Sequence, residues 1–258
     1  MASFDMILAV GNAYQRTWLE RSYLMRMALI PLLIKYICYT VSLTYIGPDN
    51  IIRVSLVMLP AYFAEGWLLA HWARTIVLGH RWPFRPSGDE KEDLAQLYER
   101  GRGVLSGTIA FTLINLLMAG YFAFFMSYVP MEIDPKTADP KIAIIGIIMM
   151  ASSFLLFRFI WSYIPVAINY PLQDFLKKMK SVWVTFPMIG LWLVCFVPPV
   201  MALQVLGGLL QGMASEGNAA VIADALTMFV RVSLDMLKNV LCTAGMAYAF
   251  IEFFKWKR

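Results

Sequence analysis

The stretch FVRVSLDMLKNV, residues 229–240, decides the fold, because it puts Arg231, Asp235 and Lys238 inside a long apolar segment. Hydrophobic residues make up 60% of the 258 residues, and charged residues only 15%. Soluble domains have about 25% charged residues. Apolar runs of membrane-spanning length recur along the chain. The sequence therefore predicts an all-α, polytopic membrane helical bundle.

Six membrane spans are predicted within a single integral membrane domain over residues 1–258, since a spanning helix needs about 20 apolar residues. They are expected at 25–46, 51–78, 104–129, 142–167 and 184–207, and from the end of the 207–220 loop to about 254. The first ten residues, MASFDMILAV, lack a basic region, so no cleavable signal peptide is expected.

Loops that are rich in lysine and arginine alternate along the chain with loops that are poor in them, and this asymmetry predicts the orientation of the spans. The poor loops hold only Lys136 and Lys141. Both termini are therefore expected in the cytoplasm. This bias accounts for the net charge of +5 without nucleic-acid binding. The rich segments are the N-terminal segment (Arg16, Arg21, Arg26), the 79–103 loop (Arg81, Arg85, Lys91, Arg100, Arg102), the 169–183 segment (Lys177, Lys178, Lys180) and the tail (Lys255, Lys257, Arg258).

Two segments are predicted to be amphipathic helices at the membrane surface. The stronger is LQDFLKKMKSVW, 172–183, which should turn Phe175, Met179 and Trp183 to the bilayer or bundle and its lysines to the cytoplasm. Its candidate binding residues for anionic lipid or a partner protein are Lys177, Lys178, Lys180 and Trp183. The alternative is a plain connector. The weaker segment is 3–25, with Phe4, Ile7, Leu8, Tyr14 and Trp18 roughly aligned.

The phrase RVSLDML, 231–237, has a near copy in RVSLVML, 53–59. Both follow a surface helix, a span and an outer loop, so residues 1–80 and 170–258 are interpreted as a parallel internal repeat around a middle hairpin, 81–169. The alternative is chance similarity between apolar helices. Counting back about 30 Å of hydrocarbon from Trp256 reaches the neighbourhood of Asp235, and Arg53 lies about one membrane thickness before Arg74, so both phrases are expected near the outer interface.

All five charged residues of the last span follow one stripe, which should face protein or water rather than lipid. Asp235 is expected to contact Arg231, Lys238 or Arg53, although the charges could instead reach headgroup water independently. The residues of the intramembrane polar stripe are Asp224, Met228, Arg231, Asp235, Lys238, Cys242, Gly245, Ala249 and Glu252.

Three other polar residues, Lys35, Glu65 and Arg158, are predicted to be buried. Glu65 could serve a proton relay or ion site, or be a structural acid paired with Arg158 or Lys35. His71 and His80 form no metal-binding motif, and the three cysteines lie singly in apolar segments. No catalytic residue, cofactor or metal is therefore expected. Pro198 and Pro199 should kink or break span five.

The stretches AHWARTIVLGHRWPFRP, 70–86, and RFIWSYIPVAINYPLQDFLKKMKSVW, 158–183, resemble a poorly characterised family of six-span bacterial inner-membrane proteins. That family is related to the membrane domain attached to some glycerophosphodiester phosphodiesterases. Arg158, Pro165 and Ala167 match its R-x6-P-x-A pattern. The resemblance implies the fold only, because the phosphodiesterase domain has no counterpart in this chain.

We expect a non-enzymatic accessory or scaffold protein that binds anionic lipids and a partner membrane protein or a second copy of itself. The alternative is a transporter of small molecules or lipids. A transporter should bring ionisable groups together at mid-depth in a cavity, whereas a scaffold should have its polar stripe or surface helix covered by another chain. An intramembrane enzyme is disfavoured, since no nucleophile and base or metal set is present.

Overall fold

The computed structural model describes residues 4–47, 50–84, 86–128, 140–212 and 218–254. Regular structure in these ranges is entirely helical, with ten α-helices and one 3-10 turn, Val182–Val184. The helices are α1 Met6–Leu19, α2 Arg21–Tyr45, α3 Ile51–Val57, α4 Leu59–Leu78, α5 Glu90–Met126, α6 Pro140–Leu156, α7 Tyr163–Ala167, α8 Leu172–Lys178, α9 Thr185–Gly212 and α10 Asn218–Phe254. Residues 129–139 and 213–217 of the predicted loops, and tail residues 255–258, lie outside the described ranges.

Three helical segments of the described chain are long and apolar enough to cross a membrane: α2, α5 and Val182–Leu210. A fourth exists if α3 and α4 count together, although the chain bends by 60° between them. The apolar part of α6, Ile142–Leu156, is shorter. In α10, polar side chains such as Asp235, Lys238 and Asn239 interrupt the apolar sequence. The six segments predicted as spans thus have unequal apolar character.

Helix α5 starts at Glu90, well inside the stretch 79–103 that was predicted to be a polar loop. The Asp89 side chain caps it by accepting the Lys91 and Glu92 N–H groups. Acidic residues in the first turn favour this end of the helix dipole. The helix has 37 residues and is about 55 Å long, so it extends beyond a hydrocarbon layer of about 30 Å.

Helix α9 continues through Pro198 and Pro199, so of the predicted kink or break in span five, the break does not occur. Pro198 has no N–H to give to the carbonyl of Val194, one turn earlier. The Tyr14 hydroxyl of α1 donates to that carbonyl at 3.2 Å. A side chain from another helix therefore replaces the missing hydrogen bond.

The predicted span 142–167 is also shorter than expected. Helix α6 ends at Leu156, a run of turns covers 157–162, and the short α7 follows. Gly107 of α5 lies against this region. A Cβ atom on Gly107 would be 2.5 Å from the Ala167 Cβ, so only glycine allows α7 to approach this closely.

The surface helix predicted over 172–183 is shorter in the structure. Helix α8 ends at Lys178, and the chain turns before Val182. Phe175 and Met179 are fully buried, and Phe175 packs edge-on against Phe250 of α10 at 5.4 Å between ring centroids. Trp183, predicted to face the bilayer or bundle, is 71% exposed. The helix therefore ends before Trp183, which does not continue its buried face.

The N-terminal segment forms α1, which packs against α9 and α10. Its small residues Ala9, Val10 and Ala13 are buried, while Ile7 and Trp18 of the predicted apolar face point outward. Asp5 caps the helix by accepting the Leu8 N–H. Its own N–H group donates to both carboxylate oxygens of Glu252, at 3.1 and 3.0 Å.

Helix α10 is at the centre of the described bundle, and it packs against α1, α2, α4 and α9. Every residue from 240 to 247 is buried. The two phrases interpreted as a repeat differ in backbone. RVSLVML runs from α3 across the bend at Met58 into α4, whereas RVSLDML lies inside the continuous α10. The internal duplication stays a prediction.

Candidate functional site

A network of four charged side chains joins three helices: Lys35 of α2, Glu65 of α4, and Asp235 and Lys238 of α10. The Lys35 ammonium donates to Glu65 Oε1 at 2.9 Å and to Oε2 at 2.8 Å. It also donates to Asp235 Oδ2 at 2.5 Å. Each of its three protons therefore has a carboxylate acceptor. Lys35 is 5% exposed and Glu65 is 2% exposed.

The network is completed within α10 itself. Lys238 Nζ donates to Asp235 Oδ1 at 2.5 Å, and the two residues are three positions apart on the helix. The Asp235 side chain is 39% exposed, so the network reaches the surface of the chain there. Two cations and two anions sum to zero charge. Because an unpaired buried charge is very costly, this balance is what permits the network in an apolar bundle.

Uncharged polar groups extend the network along α10. The Asn239 amide donates to Glu65 Oε1 at 2.8 Å. The Thr243 hydroxyl donates to the Asn239 carbonyl at 2.6 Å and shares a 2.7 Å hydrogen bond with Tyr163 of α7. Sequence reasoning missed Asn239 and Thr243. Their spacing of four residues from Asp235 and from each other was the available signal.

The predicted stripe of α10 does not form one continuous polar surface. Its middle, Asp235 and Lys238, belongs to the network. Arg231 is exposed and lies over the Tyr39 ring at 5.4 Å, and it is not among the ion-pair partners of Asp235. Glu252 accepts hydrogen bonds from the N–H of Asp5. The network partner of Asp235 on another helix is Lys35, in place of the predicted Arg53, which is exposed.

Arg158 is buried but lies away from Glu65. Its Nη1 donates to the Lys180 carbonyl at 3.4 Å, and its guanidinium lies over the Phe159 ring at 5.0 Å. Of the two partners considered for Glu65, the structure therefore selects Lys35. Arg158 instead connects the turns after α6 to the chain following α8.

The candidate binding residues near α8 do not converge on one point. Lys177 lies 3.7 Å from Asp174, Lys178 lies over the Phe254 ring at 4.8 Å, and Lys180 is exposed. Trp183 lies against Phe186 with ring centroids 5.7 Å apart. These residues form a loose basic surface rather than a pocket.

A second polar cluster centres on Arg74, near the end of α4. Arg74 is 2% exposed and donates to the Ala167 carbonyl at 2.7 Å and to Glu99 Oε1 at 3.0 Å. Asn169 also donates to Glu99 Oε1, at 2.8 Å. His80, in the loop after α4, lies 3.3 Å from Arg74. Burial, together with the positive charges of Arg100 and Arg74, lowers the pKa of His80. The cluster ties α4, α5 and α7 together.

In the part of the chain that the structure describes, no group of three or more His, Cys, Asp or Glu side chains is placed to hold a metal ion. Comparison of the chain with protein-family models, curated proteins and solved structures found no match. Its function is therefore inferred from its own residues.

Proposed function

We propose that the chain is a non-enzymatic accessory or scaffold protein of the bacterial inner membrane, which binds partner membrane proteins and anionic lipids. The observation that carries this proposal is the closed charge network. Lys35, Glu65, Asp235 and Lys238 satisfy one another inside the chain. Their polar chemistry is used to hold α2, α4 and α10 in register. Binding of other molecules is then left to the outer surfaces.

The proposed topology has six spans and both termini in the cytoplasm. The bent pair of α3 and α4 would count as one span, and α6 and α10 would complete the set. Support comes from the Lys and Arg asymmetry of the loops. The 37 residues of α10, about 55 Å, are more than enough to cross the bilayer. The resemblance to six-span proteins, which Arg158, Pro165 and Ala167 carry, is a further reason to propose six spans.

The surface proposed for a partner is the second half of α5 together with α6. Leu117, Ile147 and Met150 are large, apolar and exposed there. The Tyr121 hydroxyl of α5 lies 2.7 Å from Ser152 Oγ and 2.9 Å from Ser153 Oγ of α6, which joins the two helices at this point. These exposed apolar side chains offer a contact surface to another membrane helix.

Photo-crosslinking in intact cells tests this assignment. A photoreactive residue at Leu117 or Ile147 should capture a protein, either another membrane protein or a second copy of the chain. The matched control is Leu68, which is buried inside the chain and should capture none. Crosslinks to lipid alone at both exposed positions would reject the scaffold role.

One observation favours the alternative function, a transporter. Ionisable groups from three helices meet inside the bundle, as substrate and ion sites of transporters require. Against it, none of the four network residues lines the cavity of about 960 Å³ beside α2 and α4. Reconstituted vesicles with a pH-sensitive dye inside separate the two functions. Proton flux that disappears in Glu65→Gln would support transport, and its absence in the wild type would favour the scaffold.

A further inference from the structure

A cavity of about 960 Å³ lies beside α2 and α4, where the loop after α4 begins. This volume is within the range of ligand pockets, roughly 300–1,000 Å³. A second cavity of about 380 Å³ adjoins it, because the two share Trp67, Arg81, Trp82 and Arg100 among their lining residues. Neither cavity belongs to the closed charge network.

The walls of the larger cavity change from basic to apolar along its length. Helices α2 and α4 are antiparallel here, since the Tyr23 hydroxyl accepts the Trp82 N–H at one end and Lys35 pairs with Glu65 further along. Arg26 and the 79–83 loop therefore lie at one end. Ile30 of α2 and Phe63 of α4 line the opposite end. The cavity is amphipathic in the direction of the helix axes.

The basic end has cations without matching acids. Arg26, Arg81 and Arg100 line the cavity, and no carboxylate does. Arg81 is paired outside it with Glu20. Arg100 lies over the Phe84 ring at 4.8 Å. Neither Arg26 nor Arg100 forms an ion pair within the described ranges. The low pKa of His80, due to burial and then to Arg100 and Arg74, agrees with a positive environment at this end.

We propose that this cavity binds an anionic phospholipid, with its phosphate between Arg26 and Arg100 and an acyl chain along Ile30 and Phe63. The inference rests on the proposed function, which puts the 79–83 loop at the cytoplasmic interface. Guanidinium groups suit the planar, multidentate recognition of phosphate oxygens. Trp67 and Trp82 are of the residue type enriched where hydrocarbon meets headgroups. The charged headgroup of the lipid thus matches the basic end of the cavity, and its acyl chain matches the apolar end.

A lipid titration of the purified full chain by native mass spectrometry tests the site. Phosphatidylglycerol is compared with phosphatidylcholine of the same acyl chains. We expect the wild type to prefer phosphatidylglycerol, and Arg26→Gln with Arg100→Gln to weaken its binding about thirtyfold. The comparison variant is Lys177→Gln with Lys178→Gln, which removes the same charge from the exposed α8 surface that is itself a candidate for lipid binding; any loss of phosphatidylglycerol binding there should be smaller than in the arginine variant.

A further variant, Ala64→Phe, fills the apolar part of the cavity without altering its charge, and should also weaken phosphatidylglycerol binding. The thermal unfolding of each variant is compared with that of the wild type, so that only folded variants are interpreted. Because the two arginine substitutions lie at half-buried or exposed positions, they test the proposal even if Ala64→Phe fails to fold.

The possible results separate the cavity from the general function. Equal losses in the arginine and lysine variants would mean surface attraction only and overturn the cavity. Loss in the lysine variant alone would also overturn it, while leaving lipid binding by the protein intact. No preference of the wild type for phosphatidylglycerol would reject both. Full competition by sn-glycerol 3-phosphate, with no effect of Ala64→Phe, would assign the site to a soluble phosphate compound instead.

Discussion

Replacing Glu65 by Gln should destabilise the bundle by about 3 kcal/mol. The substitution keeps the size of the side chain, and its amide oxygen can still accept from Asn239 or Lys35. It removes one negative charge from a balanced set of two cations and two anions. Breaking one partner of a buried ion pair costs about 3–5 kcal/mol. The low end applies, because Lys35 keeps its bond to Asp235.

A double-mutant cycle that combines Glu65→Gln with Lys35→Met tests the coupling between the two side chains. Lys35→Met alone leaves Glu65, which is 2% exposed, without its cation, so it should cost about 3–5 kcal/mol as well. With both changes, Asp235 and Lys238 remain as a neutral pair. The double variant should therefore be less destabilised than the sum of the two single variants by about 2–3 kcal/mol.

Thermal unfolding in detergent, followed by circular dichroism, measures these differences. On the scale of soluble domains, 3 kcal/mol corresponds to a fall in Tm of roughly 6–12 °C. Asp224→Asn is the control, since Asp224 is exposed and should change stability by less than about 0.5 kcal/mol. Strict additivity of Glu65→Gln and Lys35→Met would refute the closed network, as would a Glu65→Gln variant as stable as the control.

Four further changes probe other parts of the molecule. Tyr14→Phe should cost about 1 kcal/mol in thermal unfolding, because it leaves the Val194 carbonyl freed by Pro198 without a donor, whereas exposed Tyr98→Phe should cost nothing measurable. Gly107→Val should cost about 1–3 kcal/mol by collision with Ala167, while Gly120→Val, where a Cβ meets nothing within 4 Å, should fold normally. A membrane-impermeant thiol reagent outside the cell should label a cysteine at Thr137 and miss one at Gly88, and the reverse pattern would invert the topology. Because the pKa of His80 is below its usual 6.5 in the fold, the unfolded chain binds more protons under mildly acidic conditions; stability should therefore fall below about pH 6.5, and His80→Gln should flatten that part of the profile.

Contacts between charged residues close in sequence could be predicted from the sequence, but the way these pairs meet in one network could not. The spacing of three residues predicts the contact of Asp235 with Lys238, and the apolar surroundings of Glu65 predict a cation partner. Sequence alone cannot decide between Lys35 and Arg158, because that choice depends on how α2, α4 and the turns after α6 rotate about their axes. The meeting of both pairs at Lys35 is likewise a property of packing.

Two predictions about helices differ from the structure, and each difference has a physical reason. The charged residues after Asp89 read as a loop, although an N-cap and an acidic first turn were present to start α5. The Pro198–Pro199 pair is a reliable breaker of isolated helices, but the donor that compensates it, Tyr14, lies 180 residues away from Val194 in the chain. The arginine-lined cavity combines residues of α2, α4, α5 and a loop, so no single stretch of sequence could predict it.

The division of the charge network between helices has a consequence for synthesis. Lys35 and Glu65 are only 30 residues apart, so they can neutralise each other as soon as the first helical hairpin leaves the ribosome. Asp235 follows 200 residues after Lys35, and its partner Lys238 comes only three residues later. Under the proposed membrane topology, each half of the network is therefore neutral while it inserts. The bond between Lys35 and Asp235, which are 200 residues apart, then joins two pairs that are each already neutral.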